Sequence, residues 1–223
     1  MLLLGSNPLK AQNKPFSLKF NVGPGFATPK DDLGKVAEKK GGPQFFSSLE
    51  SGVHLNFSKK GNFGIKLAAE IGKENTNFLS SDAQTELIVK VTSFKGRIYP
   101  FNTRGNFDDA LEKVLPGGIP FPLDLPIWIG IYSALNSLHF DIGYGRANIL
   151  ETAFGSSNFQ DERVYRNVSY TGWGLQPQIF QSQSGKWTFN AVFDSGKYKW
   201  ENANKGTSSF KSSHLGFGVQ YLF

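Results

Sequence analysis

The chain has 223 residues, with 24 Lys and Arg against 18 Asp and Glu for a formal net charge of +6, 25 Gly, 14% aromatic residues and no Cys. Without cysteine there is neither a disulfide framework nor a thiolate metal site, and no run of 18 or more uncharged apolar residues is present to make a helical membrane span. The cations are interleaved with acids, as in Lys30-Asp31-Asp32 and Glu38-Lys39-Lys40, which reads as solvated loops and argues against a nucleic-acid partner.

Residues 1–12, with Leu2 to Leu4 and then Ala11-Gln12, read as the tail of a secretory signal lacking its basic start, or as a short disordered tail. From residue 13 onward, strand-length segments alternate apolar and polar residues, the period of a sheet with unlike faces. Phe16, Leu18, Phe20 and Val22 oppose Ser17, Lys19 and Asn21. Leu49, Val53, Leu55 and Phe57 oppose Glu50, Gly52 and His54. After the Lys59-Lys60-Gly61-Asn62 turn, Phe63, Ile65, Leu67, Ala69 and Ile71 oppose Lys66, Ala68 and Glu70. In the fourth segment, Thr85 to Tyr99, Leu87, Val89 and Val91 oppose Glu86 and Lys90. The pattern then changes phase, with Lys95 and Arg97 opposite Phe94 and Ile98, and a bulge near Thr92-Ser93 is expected.

Further on, Leu138, Phe140, Ile142 and Tyr144 oppose His139, Asp141 and Gly143. Val164 to Phe180 forms a longer strand carrying Trp173. Trp187, Phe189, Ala191 and Phe193 oppose Thr188, Asn190 and Asp194, and the last strand sets Leu215, Phe217, Val219, Tyr221 and Phe223 against Gly216, Gly218 and Gln220. The gaps alternate in length: Ala27 to Pro43, Lys73 to Gln84, Glu151 to Arg163 and Lys199 to Lys211 are long and polar, whereas 58–62 and 181–186 are short.

The segment 100–137 breaks this rhythm. It holds an expected short helix over Phe107 to Leu115, with Asn106 as N-cap and Pro116-Gly117-Gly118 as stop. A greasy run interrupted by Pro120, Pro122 and Pro126 follows. Three roles are open to it: plugging a barrel mouth, lying at an interface, or docking a protein partner. A competing reading makes Ile127 to Leu135 a further strand, which would give an odd count.

Eight alternating strands, a fully apolar face on the last of them and a terminal aromatic pair, Tyr221 and Phe223, resemble the small bacterial outer-membrane β-barrels. In architecture the chain is similar to OmpX and the transmembrane domain of OmpA, and in flavour to Bacteroidota porin-like or PorT-like barrels. The fold this implies is all-β, an eight-stranded antiparallel up-and-down transmembrane barrel with a long periplasmic-side insertion containing one short helix. The resemblance implies a non-enzymatic protein of the outer membrane in a structural, adhesive or accessory role, with Tyr221 and Phe223 as the insertion signal read by the barrel assembly machinery. Outer-membrane lipid and lipopolysaccharide are its implied surroundings. Alternatives are a subunit of an envelope secretion or gliding complex docking through 100–137, and a soluble lipocalin-like barrel binding an apolar ligand with its oily face inward.

In the barrel reading the inward set is Lys19, Glu50, His54, Lys66, Glu70, Glu86, Lys90, Lys95, Arg97, His139, Asp141 and Asp194. These charges are expected to neutralise one another in a closed lumen, since buried charges persist only when paired. Trp128, Trp173, Trp187 and Trp200, with Tyr99, Tyr144, Tyr165, Tyr198 and Tyr221, are expected in aromatic girdles at the two lipid boundaries. Ser212, Ser213 and His214 invite comparison with a catalytic set, but no acid is identifiable and no cofactor or metal site is called.

Overall fold

The computed structural model describes residues 16–37, 41–56, 64–79, 85–101, 134–153, 160–202 and 205–223. The expected tail over 1–12, the Lys59-Lys60-Gly61-Asn62 turn, the Phe107 to Leu115 helix and most of the 100–137 insertion, including Trp128, lie outside them.

Eight strands of 15 or 16 residues dominate: β1 Phe16–Lys30, β2 Gly42–Asn56, β3 Gly64–Leu79, β4 Thr85–Tyr99, β5 Leu138–Ala153, β6 Gln160–Leu175, β8 Trp187–Glu201 and β9 Thr207–Leu222. A four-residue strand, β7 Gln178–Gln181, continues the path of β6 after an interruption at Gln176-Pro177. A short helix, α1 Asp31–Val36, follows β1 directly. Each long strand pairs antiparallel with the next in sequence from β1 to β6. The first and last strands pair with Ser17 opposite Leu222, and β6 joins β8 with Leu175 opposite Phe193. The sheet therefore closes on itself as an antiparallel ring, which removes the unpaired edges that an open sheet must protect.

The expected long loops are shorter than their sequences suggest, because the strands run on through them. Fifteen residues at about 3.3 Å each, tilted by about 40°, stand nearly 40 Å tall, whereas the apolar band of a membrane barrel is about 25 Å. The surplus lies at one end. On β3 the outward residues run Leu67, Ala69, Ile71 and then Lys73, Asn75, Asn77. On β4 they run Ile98, Phe94 and then Thr92, Lys90. On β8 they run Phe189, Phe193 and then Ser195, Lys197, Lys199.

The interior changes in the opposite sense at the same height. Below it lie buried Lys19, Glu50, Lys66, Glu70, Lys95, Arg97 and Asp141, and above it buried Phe78, Leu87, Val89, Val91, Val168, Tyr198, Trp200 and Phe210. This inversion replaces the bulge expected in β4. Val91, Ser93, Lys95, Arg97 and Tyr99 are all buried in strict alternation, and β4 pairs without a break with both neighbours. What changes at Thr92-Ser93 is which side is oily. Register irregularities lie instead between β5 and β6, at Gly145/Ala147, and between β7 and β8, at Gln178/Phe180.

The upper interior is closed by α1. Asp31 takes a left-handed backbone with φ 55°, a conformation that Asp tolerates better than most residues, and this turns the chain over the mouth. Leu33 and Ala37 then join the cluster of Phe78, Leu87, Val168, Trp200 and Phe210. Polar contacts fix the plug: Ser209 Oγ donates to Asp31, Asn202 Nδ2 donates to Asp32 at 2.9 Å, and Lys35 Nζ donates to Asp32 at 2.8 Å. At the boundary between the two interiors sits the Tyr170 ring, 4.6 Å from that of Tyr198. A Cβ at Gly172 or Gly196 would run into the Tyr170 ring, so the two glycines give it its space.

Candidate functional site

The lower lumen is filled by one connected ionic network. Each member stands on the inward face of its strand because the alternation that puts Leu49, Ile71, Ile98 and Phe140 outside puts Glu50, Glu70, Arg97 and Asp141 inside. Arg97 is the hub and is fully enclosed. Its Nε and Nη2 donate to the two carboxylate oxygens of Asp141, each at 2.8 Å, and Nη1 reaches Glu50 at 2.8 Å and Glu70 at 3.0 Å. The planar guanidinium suits this bidentate fork, which a lysine could not make.

Glu50 also accepts from Lys66 and, at 2.7 Å, from the Tyr99 hydroxyl, and Lys19 lies 3.8 Å away. Lys95 bridges Glu70 at 3.4 Å and Glu74 at 3.1 Å, with its ammonium 4.2 Å from the centre of the Tyr170 ring. Glu74 further accepts from Gln44 at 2.7 Å and from Tyr198, and His214 Nε2 lies 3.2 Å from it. At the lower end His139 Nε2 lies 3.2 Å from Asp194, and Gln176 accepts from Lys19 at 2.6 Å. Four cations, Lys19, Lys66, Lys95 and Arg97, thus face five carboxylates, Glu50, Glu70, Glu74, Asp141 and Asp194, all of them buried. An eight-stranded ring leaves room for little more than such side chains.

The structure brings together nine of the twelve residues expected in the lumen: Lys19, Glu50, Lys66, Glu70, Lys95, Arg97, His139, Asp141 and Asp194. His54 is half-buried lower on β2, opposite Lys66 in register. Glu86 and Lys90 are corrections: Lys90 is exposed and Glu86 half-exposed, both on the outer wall, because β4 keeps its phase and its inward residues at that height are Leu87, Val89 and Val91. Sequence reasoning missed Glu74, assigned to a loop, and Gln44, which lies just before the alternation read for the second strand. The signal that could have found Glu74 is its two-residue spacing from Glu70 through Gly72 and on to Thr76 and Phe78.

The girdle expectation also divides. Trp173, Trp187 and Tyr144 face outward, whereas Tyr99, Tyr198 and Trp200 are buried inside. A lower aromatic cluster does form where β1 and β9 meet. Phe16 packs on Phe223 with centroids at 5.4 Å, and Tyr221 lies 4.8 Å from both Trp187 and Phe223.

Ser212 shares the inward face with His214, and Glu74 is the acid beside that histidine. The Ser212 hydroxyl is buried and makes no hydrogen bond among the described residues, so nucleophile and base are not coupled as acyl-transfer chemistry needs. Among the described residues no three His, Cys, Asp or Glu are grouped to hold a metal ion.

No family model and no curated protein matches the chain. Its fold is similar to solved structures of Ail, the attachment invasion locus protein of Yersinia pestis (TM-score 0.45, 12% identity, covering 93% of this chain and 99% of that one), and of Neisserial surface protein A (0.42, 10%, 93% and 97%). It is also similar to the outer membrane protein OprG from Pseudomonas aeruginosa (0.28, 11%, 94% and 98%).

Proposed function

We propose that the protein is an integral β-barrel of the bacterial outer membrane, non-enzymatic, with a lumen sealed by ion pairs below and by an apolar plug above. Its role is structural, adhesive or as an accessory subunit, exercised through the surface above the membrane. One observation carries this reading: the lower wall is oily outside and ionic inside. Phe20, Leu49, Ile71, Phe94, Ile142, Trp173, Phe193 and Phe217 are all more than 40% exposed and lie on neighbouring strands around the ring. Water-soluble monomers rarely show an apolar patch beyond a few hundred Å², and covering apolar surface is worth about 25 cal/mol per Å², so this belt calls for acyl chains. A soluble ligand-binding barrel needs the reverse orientation at this level.

The test is insertion. Refolded protein should associate with phospholipid vesicles, require detergent for extraction, and migrate differently on a gel before and after boiling. Retention in the aqueous phase as a folded monomer overturns the reading. Tyr221 and Phe223 lie at the lower rim, in aromatic contact with Phe16 and Trp187, a placement that supports their use as a signal for barrel assembly. Deleting Phe223 should slow assembly in cells more than refolding in vitro.

A further inference from the structure

Immediately above the oily belt, the outer wall of β3, β4 and β5 carries a shallow polar groove lined by Lys73, Asn75, Lys90, Thr92, Arg146 and Asn148. Strand register places these side chains in two rows. Lys73, Thr92 and Arg146 are direct neighbours across the three strands, and Asn75, Lys90 and Asn148 form the next row up. The cations therefore occupy the corners of a triangle, with Lys90 diagonal to both others at about 7–8 Å between Cα atoms. No carboxylate lines the groove. Among the described residues none of the three cations makes a salt bridge, and the one acid at the rim, Glu162, accepts from Asn148 at 3.3 Å.

Two further facts give the triangle a meaning. The row directly beneath it is the oily row Ile71, Phe94 and Tyr144, with the Phe94 and Tyr144 rings 5.9 Å apart. Two residues along a strand are about 7 Å, so the cations stand one step above the acyl chains, at the depth of the headgroups. On the opposite wall, at the same level, Lys197 is directly across from Lys211, and there the protein supplies its own anion, Asp31 at 3.7 Å from Lys197. At β3 to β5 it supplies none, and three like charges this close are unfavourable until an anion joins them.

We propose that this groove binds the phosphate of an anionic outer-leaflet lipid, with Lys73, Lys90 and Arg146 on the phosphate oxygens, Asn75, Asn148 and Thr92 as neutral donors, and the lipid chains running down over Ile71, Phe94 and Tyr144. The inference rests on the membrane reading above. Arg146 supplies the planar fork and the lysines compact point charges, a combination suited to a phosphoryl group.

The test uses the whole chain in phosphatidylcholine nanodiscs doped with bisphosphorylated lipid A, with retained lipid A counted by native mass spectrometry after mild extraction. Parallel arms use dephosphorylated lipid A and free pyrophosphate. The wild type should hold the bisphosphorylated lipid at least about tenfold more tightly than the dephosphorylated one, and K73A/K90A/R146A should lose that preference. A charge-matched control on the opposite wall, K199A/K205A/K211A, should keep it. Equal retention of the two lipids, or an unchanged preference in the groove variant, overturns the proposal while leaving the barrel reading intact. Free pyrophosphate binding as tightly as the lipid overturns the lipid as its source. Failure of the wild type to enter nanodiscs, read separately by the gel shift on boiling, overturns both.

Discussion

The lower and upper halves of this barrel bury opposite kinds of side chain. Below the row of Lys73, Thr92 and Arg146, the outside is Phe, Leu and Ile and the inside is Arg97 with its carboxylates. Above it, the outside is largely Lys, Asn and Ser, with Phe26, Phe45 and Leu79 as exposed exceptions, and the inside is Phe78, Val89, Trp200 and Phe210. The strands are continuous through the change, and alternation is kept except at the irregularity between β5 and β6. The difference teaches that strand geometry here is indifferent to solvent: the side chains alone declare what suits each level, and in the proposed membrane setting the crossover marks the lipid boundary.

The sharpest way to break the comparison is to remove the hub of the lower half. Arg97→Met should cost about 3–5 kcal/mol, since Asp141, Glu50 and Glu70 would be left buried without their partner, measured by urea unfolding in vesicles. If the lower interior were wet and screened, the loss would fall below about 1 kcal/mol.

Next in size is Ile142→Arg on the proposed lipid side, expected to cost about 2–4 kcal/mol. The same arginine at Ser195, above the crossover, should stay within about 0.5 kcal/mol of wild type. Equal costs at the two positions would place both in the same solvent. Within the upper half, Val168→Thr should cost about 1–2 kcal/mol by introducing a hydroxyl into an apolar interior, read by the same unfolding assay.

The smallest effect is one of pH on the plug. The hydrogen bond from Ser209 holds the Asp31 carboxyl below the usual carboxylate range, and that from Lys35 does the same for Asp32. Carboxyls depressed in the folded state stabilise it above their ordinary range, and that support is lost as pH falls below about 4. Amide exchange at Leu33 should accelerate there while the amides of β3 and β4 keep their protection. Acid-insensitive exchange at Leu33 would show that apolar contact alone holds α1.

Most of the lower half was legible, because Leu67-Ala-Ala-Glu-Ile and Leu138-His-Phe-Asp-Ile write their two faces in plain alternation, and the charged partners follow from adjacent strands. The upper half was not. Lys73-Glu-Asn-Thr-Asn-Phe alternates too, but its outward residues are polar and its inward ones include Glu74 and Thr76, so no greasy face distinguished strand from loop. In β4 the clue was present and misread: Leu87, Val89 and Val91 against Phe94 and Ile98 have the look of a slipped register, although they record one strand whose oily side changes from outward to inward. The α1 plug left no periodic trace in six residues.

The pairing of Ser17 with Leu222 brings together segments that lie almost the whole chain apart, while every other long strand meets a neighbour in sequence or nearly so. Ring closure is therefore one slow, entropically costly event set against several fast hairpins. Anything that pre-aligns β1 with β9, or tethers the two ends, should act on the speed of assembly far more than on the durability of the finished cylinder.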